Sequence, residues 1–126
     1  MFDHEIALYT LTQIKIALNT IMERVSVVRS PEEFLHSADG MLRLDAICMN
    51  LIALGESVKG LDKVTNGELL KIYPQVYWGG VMRMRDKIAH HYFEIDTDVV
   101  FRTLSEDIPA MLPVIETMIE DLKRDK

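Results

Sequence analysis

The stretch that decides the fold is residues 44–58, LDAICMNLIALGESV. Its apolar residues recur at steps of three and four, the spacing that places them on one face of an α-helix. The pattern continues to about Lys59, and Gly60 suits a left-handed C-terminal cap. The segment therefore predicts a long amphipathic helix that buries one face and ends at Gly60.

The same periodicity appears on both sides of this segment. It predicts helices over residues 3–28, from near Val76 to His91, and from Asp96 or Thr97 towards the C-terminus. No stretch shows the sustained alternation of apolar and polar residues that is typical of a half-buried strand. The sequence therefore predicts an all-α fold.

Capping residues, glycine and proline predict short helices and breaks between the long helices. Capping boxes at residues 30–33 and 65–68 each predict the start of a short helix. Gly40 predicts an interruption or bend, and Pro109 with Pro113 predicts a kink or restart near Ile108. Because the connections are short, we expect an antiparallel bundle of about four main helices plus short helices.

Size and composition indicate one domain over residues 1–126. The 126 residues are 48% hydrophobic and 27% charged, which is a globular composition. No apolar run approaches the roughly 18 residues of a membrane span, and the N-terminal residues do not resemble a secretory signal. We therefore expect a cytoplasmic protein without a membrane segment.

The charge distribution and the cysteine content exclude several classes of function. A net charge of −6 disfavours diffuse binding to nucleic acid or anionic lipid, although residues 83–91 form a local basic cluster. The single Cys48 lies in an apolar stripe, so we predict a buried hydrophobic side chain rather than a nucleophile. Phosphate-binding loops, paired cysteines and nucleophile elbows are absent from the sequence, and no cofactor or metal is predicted.

Residues 83–92, RMRDKIAHHY, are the strongest candidate for chemistry. Arg85 can hold a phosphate through two hydrogen bonds, His90 can exchange a proton near neutral pH, and Tyr92 can donate a hydrogen bond or be modified. These groups suit metal-independent RNA cleavage, in which a base helps a 2′-hydroxyl attack the adjacent phosphate while a cation stabilises the developing charge.

Helix geometry restricts how these groups can act together. Arg85 and Tyr92 share a face, whereas Arg85 and His90 lie about 140° apart around a regular helix. Two solutions follow: the helix ends before His90, or a symmetric homodimer brings two copies of the segment together across a cleft. The dimer would also double the local positive charge.

Several neighbouring residues have both a functional and an ordinary interpretation. Asp86, four residues before His90, can orient the imidazole or form a plain surface pair with it. Glu56 can pair with a cation of the basic segment, residues 83–91, or remain a solvated helix charge. Tyr77 and Trp78 can stack on a base, although packing is the commoner role for such aromatics. His91 cannot share a face with His90, while His4 and His36 are predicted to be ordinary surface residues.

Arg85, His90 and Tyr92 together resemble the Arg-x4-His-x-Tyr signature of HepT toxins, a branch of the HEPN (higher eukaryotes and prokaryotes nucleotide-binding) superfamily. The polar residue that follows the arginine of that signature is present as Asp86. Residues 30–35, 54–57, 73–78 and 91–96 also look like family landmarks in the family order. Ser57, His91 and the Gly79-Gly80 pair depart from the family pattern without removing the three signature residues.

The resemblance implies an α-helical, homodimeric ribonuclease toxin, with Arg85 and His90 catalytic and Asp86 and Tyr92 supporting them. It also implies a partner, a minimal nucleotidyltransferase antitoxin that transfers AMP from ATP to Tyr92. Charge and bulk added there would block an RNA phosphate. The alternative is a non-catalytic helical subunit that binds substrate for a nucleotidyltransferase.

Overall fold

The computed structural model describes residues 2–125, and these form helices and turns without any strand. Four long helices and one short helix follow each other along the chain: α1 (His4–Val25), α2 (Ala38–Val64), α3 (Trp78–His90), α4 (Thr97–Arg102) and α5 (Ile108–Arg124). Short 3-10 turns lie at Pro31–Phe34, Leu70–Ile72 and Tyr92–Glu94, and a π-helical turn occupies Thr103–Asp107. The predicted all-α class is confirmed.

The core lies among the long helices, with α2 at its centre. Helix α2 packs against α1 on one side and α3 on the other, and α5 packs against α1. The predicted apolar stripes point inward, including Ile47 and Leu51 on α2 and Ile115 and Met118 on α5. None of the helices in the described part of the chain combines the length and the apolar character that a membrane span requires.

Contacts at both ends of the α2–α3 pair define their relative direction. Near the start of α2, Asp45 contacts Tyr92, which lies just beyond the end of α3. Near the end of α2, Lys59 contacts Asp86 in the middle of α3. A higher residue number on α2 thus pairs with a lower one on α3, so the two helices run antiparallel and the basic segment lies along α2.

The predicted bounds of α2 were wrong at its C-terminal end. The helix continues through Gly60 and ends at Val64, and the left-handed backbone conformations occur at Asn66 and Gly67 instead. Leu61 is fully buried, so its packing carries the helix past a glycine that alone would permit an end.

Gly40 does not interrupt a helix, because it lies in the first turn of α2. The side chain of Ser37 accepts a hydrogen bond from the Gly40 amide and caps the helix there. A Cβ atom at Gly40 would lie 2.0 Å from the carbonyl oxygen of Glu33. The glycine therefore permits a close approach between the preceding turn and the helix.

The two predicted capping boxes do not form as expected. Ser30 makes no side-chain capping bond, and Glu33 accepts instead from the Arg29 amide, so only a 3-10 turn follows. The Thr65 hydroxyl donates back to the Leu61 carbonyl, 2.8 Å away, and therefore closes α2 rather than opening a new helix.

The remaining helix boundaries agree more closely with the sequence. Helix α1 is shorter than predicted and ends at Val25, and α3 starts at Trp78 rather than at Val76. Of the two predicted caps, Asp96 and Thr97, it is Asp96 that caps α4, by accepting from the Asp98 amide. The predicted restart near Ile108 is confirmed, because the π-helical turn ends there and α5 begins.

Candidate functional site

The position of Arg85 is set by the close approach of α2 and α3 at Gly55. A Cβ atom at Gly55 would lie 2.2 Å from Cβ and 2.8 Å from Cγ of Arg85. Only a residue without a side chain leaves room for the Arg85 stem at this crossing. The glycine in the α2 stripe therefore serves the placement of a charged side chain as well as helix packing.

Two carboxylates hold the guanidinium of Arg85. Its Nε forms an ion pair with Oε1 of Glu56, and its Nη1 donates to Oδ1 of Asp86 at 3.0 Å. The Nε atom is buried and lacks a well-aligned hydrogen bond in the described part of the chain, so the Glu56 contact is mainly electrostatic. With its side chain 24% exposed, Arg85 is restrained but still reachable from solvent. The functional interpretation of Glu56, pairing with a cation of the basic segment, is the one observed.

Within the described residues of one chain, no hydrogen bond or ion pair joins Asp86 to His90, so neither predicted form of this pair is observed. Instead, Oδ1 of Asp86 accepts from Lys59 Nζ at 2.7 Å and from Arg85. Both partners carry a full positive charge, which makes them stronger donors to a carboxylate than a neutral imidazole. The hydrogen bond from Lys59, followed by that from Arg85, lowers the pKa of Asp86 below its ordinary value.

His90 is the last residue of α3 and is exposed. Because the helix includes His90, the first geometric solution, a helix that ends before it, is excluded. Arg85 faces α2, and His90 lies about 140° further around the same helix. Within one chain, the imidazole and the guanidinium therefore point in different directions.

Tyr92 follows α3 in a 3-10 turn, and its hydroxyl donates to Oδ1 of Asp45 on α2. Burial raises the pKa of the Tyr92 hydroxyl above its ordinary value, and the hydrogen bond to Asp45 raises it further. The phenol is therefore protonated at neutral pH and has a carboxylate as its neighbour.

Sequence reasoning missed Asp45. The available signal was its spacing from Glu56, since residues eleven apart return to nearly the same side of a helix after about three turns. Asp45 and Glu56 thus belong to one edge of α2, and this edge supplies a carboxylate to Tyr92 at one end and to Arg85 at the other.

The two aromatics at the start of α3 have different roles. Trp78 is buried, and its Nε1 donates to the Tyr73 carbonyl at 2.9 Å, so the packing interpretation applies to it. Tyr77 is 71% exposed, and the guanidinium of Arg83 lies 4.9 Å from its ring centroid. This cation–π contact is made on the outer surface of α3.

The other histidines lie apart from the site cluster, whereas Cys48 is close enough to two of its members to interact with them electrostatically. The site cluster consists of Asp45, Glu56, Arg85, Asp86 and Tyr92. His91 approaches Glu94 at 3.8 Å, His36 is exposed, and His4 is half-buried against Phe2. Cys48 is 1% exposed, and burial raises the pKa of its thiol to about 11, which opposes nucleophilic chemistry. In residues 2–125, no group of three or more histidine, cysteine or acidic side chains is arranged to hold a metal ion.

A cavity of about 350 Å³ lies between α2, α3 and α5. Its walls are mainly apolar, with Leu51 and Met84 among them, and Gln75, Thr103 and Asp107 supply polar groups. None of Arg85, His90 and Tyr92 lines this cavity. The charged side chain among these lining residues is Asp107, an acid that would repel an anionic substrate, so we place the candidate site at the basic segment and not at the cavity.

Comparison with known proteins places the cluster in a family. The model of the family described as "Ribonuclease HepT-like" matches residues 14–118, which include the whole cluster. A Methanocaldococcus jannaschii protein that is named as an RNase by inference is 35% identical to this chain over 78 residues. The aligned region covers 62% of this chain and 61% of the relative. A Thermococcus cleftensis protein that is named as a HepT ribonuclease by inference is 33% identical over 66 residues. The aligned region covers 52% of this chain and 56% of the relative.

The chain thus spans about three fifths of the length of these relatives. No solved structure matches it significantly. The family match covers most of the chain and contains Arg85, His90 and Tyr92 in the spacing recognised from the sequence. The chain therefore belongs to the HepT-like ribonuclease family.

Proposed function

We propose that the chain is a metal-independent endoribonuclease toxin of the cytosol that cleaves RNA at a homodimer cleft. The observation that carries the proposal is the arrangement of Arg85, whose guanidinium is held between Glu56 and Asp86 while remaining partly exposed. A restrained cation of this kind can stabilise charge on a phosphate without losing much side-chain entropy during the reaction.

The proposed reaction is attack by a 2′-hydroxyl on the adjacent phosphorus. His90 accepts the hydroxyl proton as the oxygen–phosphorus bond forms, and the 5′-oxygen leaves, so that a cyclic phosphate remains. Arg85 donates to the phosphate oxygens, on which negative charge increases. Its Nε and Nη1 contact the two carboxylates, so Nη2 is the nitrogen that would donate to the phosphate.

The homodimer is part of the proposal because one chain directs Arg85 and His90 to different sides. The surface around Tyr92 and Asp45 supports pairing: Leu42 and Met49 are both 66% exposed, and Phe93 is 100% exposed. Leu42, Asp45 and Met49 lie on one side of α2 at helical spacing, and Phe93 is adjacent to Tyr92. Exposed apolar groups clustered in this way are typical of an interface.

Mixing two inactive variants tests both the reaction and the shared site. We expect Arg85→Ala and His90→Ala each to abolish cleavage of RNA in EDTA while helicity is retained. If one site takes its arginine and histidine from different subunits, random re-pairing of equal amounts leaves one intact site in half of the dimers. Activity should then return to about a quarter of the parent level. Cleavage by either variant alone would contradict the assigned roles, and no recovery on mixing would contradict the shared site.

We further propose that a nucleotidyltransferase antitoxin silences the chain by transferring AMP to Tyr92. The phenol oxygen would attack the α-phosphorus of ATP, pyrophosphate would leave, and the proton would pass to Asp45. The contact between the Tyr92 hydroxyl and Asp45 supports this route, because the raised pKa of the phenol requires a nearby base. The added negative charge would then repel an RNA phosphate.

The modification is tested by mass spectrometry after incubation with the partner enzyme and ATP. We expect the AMP mass to be absent from Tyr92→Phe and to appear more slowly on Asp45→Asn, whose amide is a poor base. An adduct that persists on Tyr92→Phe would refute the assignment of the site. A chain that binds the transferase but never cleaves RNA would instead support the alternative, a non-catalytic substrate-binding subunit.

A further inference from the structure

Three side chains form a stripe along the outer face of α3. Arg83, Lys87 and His90 are separated by four and three residues, which places them one above another on a helix. All three are exposed. No acidic side chain within residues 2–125 forms an ion pair with Arg83 or Lys87, in contrast to Arg85 and Lys59 on the α2 side. The stripe therefore presents uncompensated positive charge beside the histidine.

Arg83 is held in place at one end of this stripe. Its Nη2 donates to the Tyr77 hydroxyl, and its guanidinium lies over the Tyr77 ring. The ring in turn rests on Gly80, where a Cβ atom would lie 2.8 Å from the Tyr77 Cδ2 atom. A Cβ at Gly79 would approach the ring and the Arg83 Nη1 at 3.5 and 3.4 Å. The glycine pair, which weakens the start of a helix, thus makes room for an ordered aromatic–arginine pair.

We propose that Arg83 and Lys87 bind the phosphates of a single RNA strand that runs along α3 into the site at His90, and that Tyr77 positions Arg83. The inference rests on the proposed function for the identity of the ligand. The stripe spans about 10 Å of helix axis, since seven residues rise about 1.5 Å each. A stacked strand rises about 3.4 Å per nucleotide, so the stripe matches about three nucleotides. The strand binds on this face because two cations without an ion pair among the described residues lie there beside the histidine, whereas the chain as a whole is acidic and repels phosphates.

The strand can be tested separately from catalysis with an oligonucleotide that cannot be cleaved. A fluorescent 2′-O-methyl RNA of about twelve nucleotides lacks the attacking hydroxyl, and its binding to the full chain is measured by anisotropy across a range of KCl concentrations. Each phosphate contact on a single strand contributes about 0.7 to the slope of log K against log salt. Between 1 M and 0.1 M salt, one contact therefore contributes about fivefold in affinity. We therefore expect Arg83→Ala and Lys87→Ala each to weaken binding about fivefold, and the double variant about 25-fold.

The matched control is the double variant Arg102→Ala/Lys123→Ala. It removes the same two side-chain types from exposed positions on α4 and α5. This control loses the same amount of positive charge as the Arg83→Ala/Lys87→Ala variant, but from other surfaces. We therefore expect its salt slope to match that of the parent. If both double variants lose affinity equally, or neither does, the assignment of the strand to α3 is refuted.

Tyr77 is tested as a positioning residue by two substitutions. Tyr77→Ala should weaken binding while leaving the salt slope unchanged, because Arg83 keeps its charge but loses its fixed orientation. Tyr77→Phe retains the ring and should recover most of the affinity. Loss of slope in Tyr77→Ala, or no recovery in Tyr77→Phe, would refute the positioning role.

The outcomes separate this inference from the nuclease. A parent chain that binds the modified RNA with the expected slope but cleaves no RNA would refute the nuclease and support the strand site. A parent that cleaves RNA while the Arg83 and Lys87 variants bind as the parent does would refute the strand site alone. A parent that instead binds only acidic proteins through these residues would also refute it.

Discussion

Replacement of Gly55 by alanine is the most direct test of how the site is built. The new methyl group would be placed 2.2 Å from the Arg85 Cβ and 3.3 Å from the Val81 carbonyl oxygen. An ordinary contact requires about 3.4 Å or more, so α2 and α3 must separate or the Arg85 stem must move. Either adjustment displaces the guanidinium from Glu56 and Asp86.

The expected magnitude follows from two opposing effects. Alanine in place of glycine inside a helix stabilises it by about 0.5–1 kcal/mol. Overpacking at a tight helix crossing costs about 1–3 kcal/mol. We expect a net loss of about 1–2 kcal/mol in the free energy of unfolding. If the proposed function is right, the same change should also lower RNA cleavage by more than tenfold, because a displacement on the order of 1 Å at the proposed phosphate-binding group is costly.

Gly60 provides the matched control within the same helix. A Cβ atom there would meet no heavy atom within 4 Å, so Gly60→Ala should gain about 0.5–1 kcal/mol without opposition. Thermal unfolding followed by circular dichroism measures both variants. The two variants should then differ by about 1.5–3 kcal/mol, so at roughly 4 °C per kcal/mol their melting temperatures should differ by roughly 6–12 °C. If Gly55→Ala proves as stable as Gly60→Ala, the close approach at Gly55 does not restrict the residue at this position.

Three further predictions concern the surrounding framework. Gly40→Ala should destabilise the chain by about 1–3 kcal/mol in urea unfolding, because its Cβ would meet the Glu33 carbonyl at 2.0 Å and a backbone atom cannot turn aside. Burial, followed by the hydrogen bond to Asp121, raises the pKa of Tyr73 to about 12, so the protonated Tyr73 hydroxyl stabilises the fold fully below pH 10 and this stabilisation is lost as pH rises towards 12. The free energies of unfolding of the parent and of Tyr73→Phe should therefore converge between pH 10 and 12, and a constant difference would contradict this role of Tyr73. Glu56→Gln should reduce RNA cleavage severalfold with unchanged helicity, since the amide keeps the shape but not the charge that restrains the motif arginine; full activity would show that the restraint is dispensable.

Prediction from the sequence succeeded where one strong local signal acted alone. The apolar stripes identified every long helix, the proline pair located the restart at Ile108, and the cap of α4 was narrowed to Asp96 or Thr97. Prediction failed where a local signal competed with packing. Gly60 permits a helix end, but the burial of Leu61 outweighs the cost of one glycine, so α2 continues.

The residues of the candidate site divide along the same line. The types and spacing of Arg85, His90 and Tyr92 could be recognised in the sequence. The angle of about 140° between Arg85 and His90, which prevents one helix from bringing the two side chains together, could also be derived from it. Of the carboxylates that hold these groups, Glu56 was foreseen only as one of two open interpretations, and Asp45 was missed. Asp45 and Glu56 lie 47 and 29 residues from their partners and reach them only through the α2–α3 crossing.

The sequence by itself determined which segments are helical, which faces are apolar and which side chains are available for chemistry, because helix periodicity and side-chain type are local properties. Only the tertiary structure decided that Gly55 admits the Arg85 stem, that Asp86 bonds Lys59 rather than His90, and that the Gly79-Gly80 pair supports Tyr77. Those outcomes depend on distances between residues far apart in the chain, which are set by how closely two helices pack and by which charges they bring together.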